Sequence, residues 1–301
     1  MTGERGEPLL SIRDLRITFR TRTESVRAVD GVSFDVYPGE TLGVVGESGS
    51  GKSVTMLSVL RLIPPSSRVM TSGQVLFEGK DLLQASRREI RAIRGRRIAL
   101  IPQDPMTSLN PVKRVGAQIG SLLRHHLGLS KRAALTRATE LLIEVAIREP
   151  DRVLSLYPHE ISGGMRQRVL IAMAFACDPA LVIADEPTTA LDVTVQRQVL
   201  QLVERLRQRH GAAILFVTHD LGVVAKICRT MTVLHAGRVL EEGETADVLA
   251  KPRHPYTRAL LAATPRADRP AEALRPVPPA LIESLWSEAH RLDRLAAAEP
   301  A

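Results

Sequence analysis

Hydrophobic and polar positions alternate near the start of the chain, as they do in strands with one buried face. Residues 9–38 contain two such runs, which end at the turn formed by Pro38 and Gly39. The runs are carried by Leu10, Ile12, Leu15, Ile17 and Phe19, and by Val32, Phe34 and Val36. The pattern therefore predicts β-strands across this segment.

Later runs are apolar throughout. Residues 180–184 and 213–217 have the continuous apolar character of central strands in a parallel sheet that is covered on both faces. Residues 41–45 predict another short buried strand, and residues 97–101 predict a further strand that leads to Gln103.

Helical periodicity marks three segments. Residues 52–62 predict a helix that is ended by Pro64 and Pro65, and residues 115–156 predict a helical insertion between two halves of an α/β sheet. An amphipathic helix that covers the sheet is predicted from the spacing of Val195, Val199, Leu202 and Leu206. After about residue 236 charge and proline content rise, and the last stretch predicts a loosely specified tail with a short helix.

Composition is that of a globular protein. The 301 residues are 44% hydrophobic and 25% charged, which suits one large α/β domain with an appendage or two modest domains. Aromatic residues make up only 3%, so the core must be built from Leu, Val, Ile and Ala. Cys177 and Cys228 lie in apolar stretches without metal-ligand spacing, and we expect buried free thiols in a reducing compartment.

The net charge of +8 is compatible with binding to nucleic acid, to an anionic membrane surface or to a nucleotide. The arginines are spread along the chain, which favours a solvated basic surface. The longest strongly apolar run, residues 169–177, is too short to span a bilayer. The first residues include acids and no apolar segment, so we expect no secretory signal and a chain that is soluble by itself.

Residues 46–53 match the phosphate-loop pattern G-x-x-x-x-G-K-[ST] between a predicted strand and a predicted helix. The predicted ATP-binding residues here are Gly46, Glu47, Ser48, Gly49, Ser50, Gly51, Lys52, Ser53 and Val54. The glycines let successive amides face inward, and the helix start adds positive potential. We expect Lys52 to reach the β- and γ-phosphates of ATP and Ser53 to coordinate Mg²⁺. A glycine-rich turn with an accidental lysine is the alternative, and the strand and helix on either side argue against it.

Two carboxylates, Asp185 and Glu186, end the apolar strand of residues 180–184. Ligands of such sheets gather at the carboxyl ends of the strands. Asp185 suits a Mg²⁺ site, and Glu186 suits a general base that polarises an attacking water. An ordinary strand exit with solvated acids is common enough that this pair alone decides nothing.

Residues 161–168, Ile-Ser-Gly-Gly-Met-Arg-Gln-Arg, closely resemble the LSGGQ signature of ABC ATPases. Ser162, Gly163 and Gly164 can cap a helix predicted from Met165 to Cys177, and the helix amides can hold a γ-phosphate. A helix cap alone would not explain the order of the other motifs. The chain therefore resembles ABC transporter ATPases over about residues 9–265.

The resemblance implies roles for further residues. Gln103 is similar to the glutamine that touches Mg²⁺ and couples to membrane subunits, and Asp192, after Leu191, is similar to the D-loop aspartate. His219 resembles the switch histidine that contacts the γ-phosphate, and Phe19 resembles the aromatic residue that stacks on adenine.

The resemblance also implies an α/β fold. An ABC-type P-loop ATPase has a parallel-sheet core, an N-terminal antiparallel β subdomain, a helical subdomain and here a small C-terminal extension. We expect the ABC domain to cover residues 1–265, with the helical insertion at about 106–170, and the extension to cover residues 266–301.

In this family each signature completes the nucleotide site of a partner. The implied partners are a second, related ATPase subunit, two transmembrane permease subunits and an extracytoplasmic solute-binding protein, with no nucleic acid. The implied location is peripheral, at the cytoplasmic face of the inner membrane.

Three segments, residues 103–111, 157–161 and 254–261, resemble the dipeptide/oligopeptide/nickel importer subfamily. They imply inward transport of peptides, with nickel or oligosaccharide uptake as the alternatives. Members of this subfamily often have a cysteine-rich C-terminal segment, in some cases with an iron–sulfur site. Residues after Ala271 contain no cysteine, so that site is not carried over.

Three other classes compete with this interpretation. A nucleic-acid ATPase with an ABC-type head usually has long coiled-coil insertions, zinc modules or two cassettes, and the sequence shows none of them. An unrelated P-loop kinase or GTPase does not account for residues 161–165. A regulatory cassette without turnover is disfavoured by Lys52, Glu186 and His219.

Overall fold

The computed structural model describes residues 6–21, 25–63, 66, 68–188, 192–264, 277–285 and 287. The chain divides into two compact units. The first comprises Met1–Leu9, Val36–Thr41 and Gln84–Phe216, and the second comprises Leu10–Asp35, Leu42–Leu83 and Val217–Ala301.

The second unit contains an antiparallel sheet, as the sequence predicted for this end of the chain. Its strands, in the order β2-β1-β4-β5, are β1 Leu10–Arg20, β2 Ser25–Val36, β4 Val69–Phe77 and β5 Lys80–Asp81. Strand β1 runs antiparallel to β4 from Leu10 opposite Phe77 to Phe19 opposite Val69. On β1, Leu10, Ile12, Leu15 and Ile17 are completely buried, and the alternation is interrupted where the pairing with β4 is irregular, between Arg13 and Arg16.

The second unit also contains three strands in the order β10-β9-β3. They are β3 Thr41–Val45, β9 Thr230–His235 and β10 Arg238–Glu244. Strand β3 is parallel to β9, and β10 returns antiparallel to β9. The helices of this unit are α1 Lys52–Val59, α9 Leu221–Ile227, α10 Thr245–Ala250 and α11 Pro255–Ala263.

Helix α1 ends earlier than predicted. It stops at Val59 instead of Leu62, because Arg61 adopts a left-handed backbone with φ of 47°. The amide of Leu62 then donates to the carbonyl of Leu57, at 2.8 Å, as at many helix C-termini. Pro64 and Pro65, which were expected to end the helix, lie outside the described residues.

The first unit contains three further strands, in the order β8-β7-β6. Their bounds are β6 Ile98–Ile101, β7 Leu181–Asp185 and β8 Ala213–Thr218. Strands β6 and β7 are parallel from Ile98 opposite Leu181 to Ile101 opposite Ala184. Every residue of β8 is buried, as its continuous apolar run predicted.

The helices of the first unit include the predicted insertion. Their bounds are α2 Arg87–Ile93, α3 Pro105–Ser108, α4 Val115–Leu127, α5 Lys131–Glu144, α6 Pro150–Ser155, α7 Gly163–Phe175 and α8 Val193–His210. The helical pattern at residues 115–156 is divided into α4, α5 and α6, with Gly128 and Ala146 in left-handed conformations after the first two. Helix α8 buries Val199, Leu202 and Leu206 along the predicted stripe.

Both cysteines are buried free thiols, as predicted. Within the described ranges, no helix is both long enough and apolar enough to cross a bilayer. Of the predicted extension, residues 277–285 and 287 are described, and residues 279–285 are helical.

Candidate functional site

The phosphate loop connects β3 to α1 in the second unit, and two of its glycines lie against neighbouring backbone. A Cβ at Gly46 would lie 2.2 Å from the carbonyl oxygen of Leu234, and one at Gly51 would lie 2.6 Å from that of Ala28. Gly51 also has a φ of 99°, which side-chain-bearing residues rarely adopt. The packing of the chain itself therefore requires glycine at both positions.

Lys52 is held inside the loop. Its side chain is buried, and Nζ donates to the carbonyl oxygens of Gly46, at 2.7 Å, and Glu47, at 2.8 Å. The hydroxyl of Ser50 is a third, longer contact at 3.5 Å. A buried ammonium needs hydrogen-bond acceptors. The two carbonyl oxygens hold the charge of Lys52 against the backbone of the phosphate loop.

Ser50 is buried and Glu47 is half-buried, but other residues of the loop are accessible. Ser48 and Gly49 are exposed, and a Cβ at Gly49 would meet nothing within 4 Å. Ser53, the second residue of α1, is also exposed, and Val54 is half-buried. Exposed loop backbone above a buried lysine fits a cradle for phosphate oxygens.

Phe19 and His219 also belong to the second unit. Phe19 is half-buried on β1, beside the buried Ile17 in the alternating pattern. His219 is exposed and follows β8 directly. The next residue, Asp220, caps α9 by accepting from the amides of Gly222 and Val223, so His219 lies between a strand end and a fixed helix start.

In the first unit the structure brings Gln103 and Glu186 together. The Gln103 side-chain Nε2 donates to Oε2 of Glu186 at 3.0 Å. Asp185 is the last residue of β7, and Glu186 follows it. The two strand ends that the sequence marked as polar therefore meet at one edge of the sheet.

Glu186 has a strained backbone, with a φ of 44° in the left-handed region. For a residue with a side chain this conformation costs of the order of 1 kcal/mol and is often found at functional sites. The residue after this turn is held by Gln167, whose role the sequence pattern did not indicate. Gln167, 1% exposed, donates from Nε2 to the carbonyl of Pro187 at 2.9 Å. A lone amide inside the buried face of a helix is the signal that could have identified it.

The signature begins α7. The Ser162 hydroxyl accepts from the amide of Met165 at 3.3 Å, and a Cβ at Gly163 or Gly164 would meet nothing within 4 Å. The helix starts at Gly163, two residues before the predicted Met165, because Ser162 is the cap itself. It ends at Phe175 instead of Cys177.

The end of α7 is set by Asp178. Its left-handed φ of 48° turns the chain, and its amide donates back to the carbonyl of Phe175 at 3.2 Å. Asp192 has a capping role at α8, where Oδ1 accepts from the amides of Thr194 and Val195. Leu191, the other predicted D-loop residue, lies outside the described residues.

The segment after Gln103 is ordered by a further cap. Asp104 accepts from the amide of Met106 at 2.7 Å and from the hydroxyl of Thr107 at 2.9 Å, and these bonds lower the pKa of its carboxyl. The segment nevertheless presents apolar side chains to solvent, since Met106 is 57% and Val112 is 78% exposed.

Comparison with known proteins agrees with this geometry. A family model described as "ABC transporter" matches residues 29–189, and one described as "Oligopeptide/dipeptide transporter, C-terminal region" matches residues 240–285. The chain is 50% identical, over 94% of its length and 85% of the relative, to a probable peptide ABC transporter ATP-binding protein of Sinorhizobium fredii.

Two further proteins, one known by sequence and one by structure, are also similar to this chain. The dipeptide transport ATP-binding protein of Bacillus subtilis is 48% identical over 90% of this chain and 81% of the relative. The dimeric, ADP- and Pi-bound ATP-binding cassette MJ0796 has a TM-score of 0.70 at 27% identity, over 78% of this chain and 98% of that one. Taken with the phosphate loop and the signature, these matches show that the chain belongs to the ABC transporter family of ATP-binding proteins.

Proposed function

We propose that this chain is the ATP-hydrolysing subunit of an importer for short peptides, and that it drives separate membrane-spanning subunits. The observation that carries the proposal is the phosphate loop, in which a buried Lys52 is bound by the carbonyls of Gly46 and Glu47 at the start of α1. The relatives that are named as peptide transport proteins supply the class of solute.

ATP is the substrate of this site. We assign its β- and γ-phosphates to Lys52 and to the amides of residues 48–54, and its adenine to the ring of Phe19. The buried ammonium balances phosphate charge, and its burial strengthens the attraction because its surroundings are less polar than water.

The residues present also fit Mg²⁺. The hydroxyl of Ser53, the side-chain oxygen of Gln103 and the carboxylate of Asp185 are the hard oxygen donors that this ion prefers. Bound Mg²⁺ would neutralise charge on the phosphate oxygens. Because Nε2 of Gln103 donates to Glu186, the amide has its oxygen left for a cation.

Glu186 acts as the general base in this proposal. Its carboxylate accepts a proton from the water that attacks the γ-phosphate, and the bond from Gln103 together with the strained turn orients that carboxylate. We assign His219 to the γ-phosphate, as a hydrogen-bonding group that senses whether this phosphate is present.

The signature serves a different nucleotide. We assign Ser162, Gly163, Gly164 and Met165 to the ATP that is bound by a second, related cassette, and we assign Asp192 to the contact between the two cassettes. Two permease subunits receive the motion through the segment around Gln103, where Met106 and Val112 are exposed. A solute-binding protein on the other side of the membrane delivers the solute. The chain is then peripheral, at the cytoplasmic face of the inner membrane.

Uptake in a bacterial strain that lacks this chain tests the proposal. Labelled di- and tripeptide uptake should be lost, restored by the wild-type chain and not restored by Glu186→Gln. Peptide uptake that persists while nickel or oligosaccharide uptake is lost would contradict the proposed solute. Stimulation of the ATPase by DNA instead of by membrane subunits would contradict the transport function.

A further inference from the structure

The start of helix α11 is attached firmly to β10. The carboxylate of Glu241 accepts from the amides of Arg253, at 2.7 Å, and His254, at 3.1 Å. His254 caps the helix, because its Nδ1 accepts from the amide of Tyr256 at 3.1 Å. Glu241 and His254 therefore hold the start of α11 in a single arrangement.

Tyr256 connects this helix to the phosphate loop. Its side chain is fully buried, and its ring packs on His235 with the ring centroids 4.4 Å apart. The hydroxyl accepts from the backbone amide of Glu47 and donates to Oε2 of Glu47, both at 3.3 Å. A tyrosine hydroxyl can donate one hydrogen bond and can also accept. Here both of these bonds go to the same residue of the loop, Glu47.

The amide that Tyr256 holds belongs to the peptide bond between Gly46 and Glu47. The carbonyl of the same peptide bond accepts from Nζ of Lys52 at 2.7 Å. Because a peptide group is planar, rotation that frees the amide from Tyr256 also turns the carbonyl away from Lys52. The following carbonyl, that of Glu47, accepts from Lys52 as well, at 2.8 Å.

We propose that Tyr256 is a positioning residue for the nucleotide: its hydroxyl orients the Gly46–Glu47 peptide, and this peptide holds Lys52 where the β- and γ-phosphates bind. The inference rests on the proposed function, in which Lys52 binds those phosphates. Tyr256 itself does not touch the nucleotide. It lies in the C-terminal region that matches the oligopeptide/dipeptide transporter family, which gives that region a direct connection to the ATP site.

The test compares the affinities of fluorescent (MANT) ATP and AMP in Tyr256→Phe. The phenylalanine keeps the ring and its packing on His235 but leaves the Glu47 amide and carboxylate without the hydroxyl. We expect ATP to bind about tenfold more weakly, the effect of one hydrogen bond to a charged group, and AMP affinity to change less than about twofold, because AMP lacks the phosphates that Lys52 contacts. Tyr37→Phe, the same change at a half-buried tyrosine, should leave both affinities unchanged.

Two further variants separate positioning from a general loss of structure. In a Lys52→Ala background, Tyr256→Phe should have no additional effect on ATP affinity, because the group that it positions is gone. Glu241→Gln, which removes an acceptor from the start of α11, should weaken ATP binding in the same direction and leave AMP binding unchanged.

An ATP affinity of Tyr256→Phe within twofold of wild type would overturn the inference, as would equal losses for ATP and AMP or a loss that persists in the Lys52→Ala background. Each of these results leaves the proposed function intact, since wild-type binding is measured alongside. Failure of the wild-type protein to bind ATP would overturn the proposed function, and this inference with it.

Discussion

Helices α1 and α7 both have glycines at or just before their first residues, and the surroundings of these glycines differ. At the start of α1, a Cβ on Gly46 or Gly51 would collide with the carbonyl oxygens of other segments. At the start of α7, a Cβ on Gly163 or Gly164 would meet nothing within 4 Å. The phosphate loop is closed around Lys52. The start of α7 has its glycines and the Ser162 cap without such crowding.

The difference separates two reasons for a glycine. In the phosphate loop the packing of the chain requires it, so a side chain there should damage the fold. In the signature no such clash explains it, and we assign the small side chains to the approach of a nucleotide that a partner cassette binds. Glycine substitutions that leave folding intact but stop turnover should therefore be found at the start of α7 and not in the phosphate loop.

The largest effect is expected at Glu186, which we propose as the general base. Glu186→Gln should lower ATP turnover by at least about a hundredfold, the scale of a lost general base, and leave ATP affinity intact. Single-turnover kinetics with labelled ATP, together with equilibrium binding, measures both quantities. Turnover within a fewfold of wild type would mean that another group accepts the proton.

The difference between the glycines of the phosphate loop and those of α7 is tested by matched alanine variants. Gly46→Ala should lower the free energy of unfolding by about 2 kcal/mol or more, because its Cβ overlaps the Leu234 carbonyl. Gly164→Ala should leave it unchanged or raise it by up to about 1 kcal/mol, since alanine favours a helix more than glycine does. Urea unfolding gives both values, and equal losses at the two positions would contradict the distinction.

Assembly with a partner cassette should raise the rate of ATP hydrolysis, by a smaller factor than Glu186→Gln lowers it. The purified chain should hydrolyse ATP slowly, and a second, related cassette with the membrane subunits should raise the rate by about tenfold or more, because helix amides aimed at developing charge contribute at least that much. The chain with Gly164→Ala, assembled in the same way, is the control and should show less stimulation. Full, solute-stimulated activity of a strict monomer would refute the need for a partner.

The smallest signal concerns the membrane contact. Cysteines at Ser108 or Val112, both exposed, should form crosslinks to a short cytoplasmic helix of a membrane subunit. The native Cys177 and Cys228 are buried and should not compete, and a cysteine at Leu135, exposed on α5, serves as the control. Crosslinks that reach only the C-terminal tail of another cassette would contradict this docking.

The fold was predictable where burial alone determines the order of hydrophobic and polar residues. Strands β3, β7 and β8 and helix α8 were predicted because their buried residues are consecutive or regularly spaced. Strand β9 was missed, although it is fully buried, because the threonines at 230 and 232 interrupt its apolar run. Strand β4 was missed for the opposite reason: most of its residues are exposed, and backbone pairing with β1 defines it.

The site was predictable as far as its motifs are local. The phosphate loop, the acidic pair and the signature each lie within a few residues of sequence, so their types and spacing are informative. The contact between Tyr256 and Glu47 joins positions 209 residues apart, and no local pattern predicts it. The left-handed backbone of Glu186 and the Gln167 contact to Pro187 beside it are tertiary features that the local sequence does not reveal.

The central claim is that the open start of α7 binds the nucleotide of a partner, and the most direct measurement is ATP-dependent pairing. Sedimentation of Glu186→Gln mixed with the second cassette should show a pair when ATP is present and separate chains when it is absent. Adding Gly164→Arg, which places a large side chain where a Cβ meets nothing in the chain, should abolish the pair and leave ATP affinity unchanged. A pair that forms equally well with Gly164→Arg, or without ATP, would contradict the account.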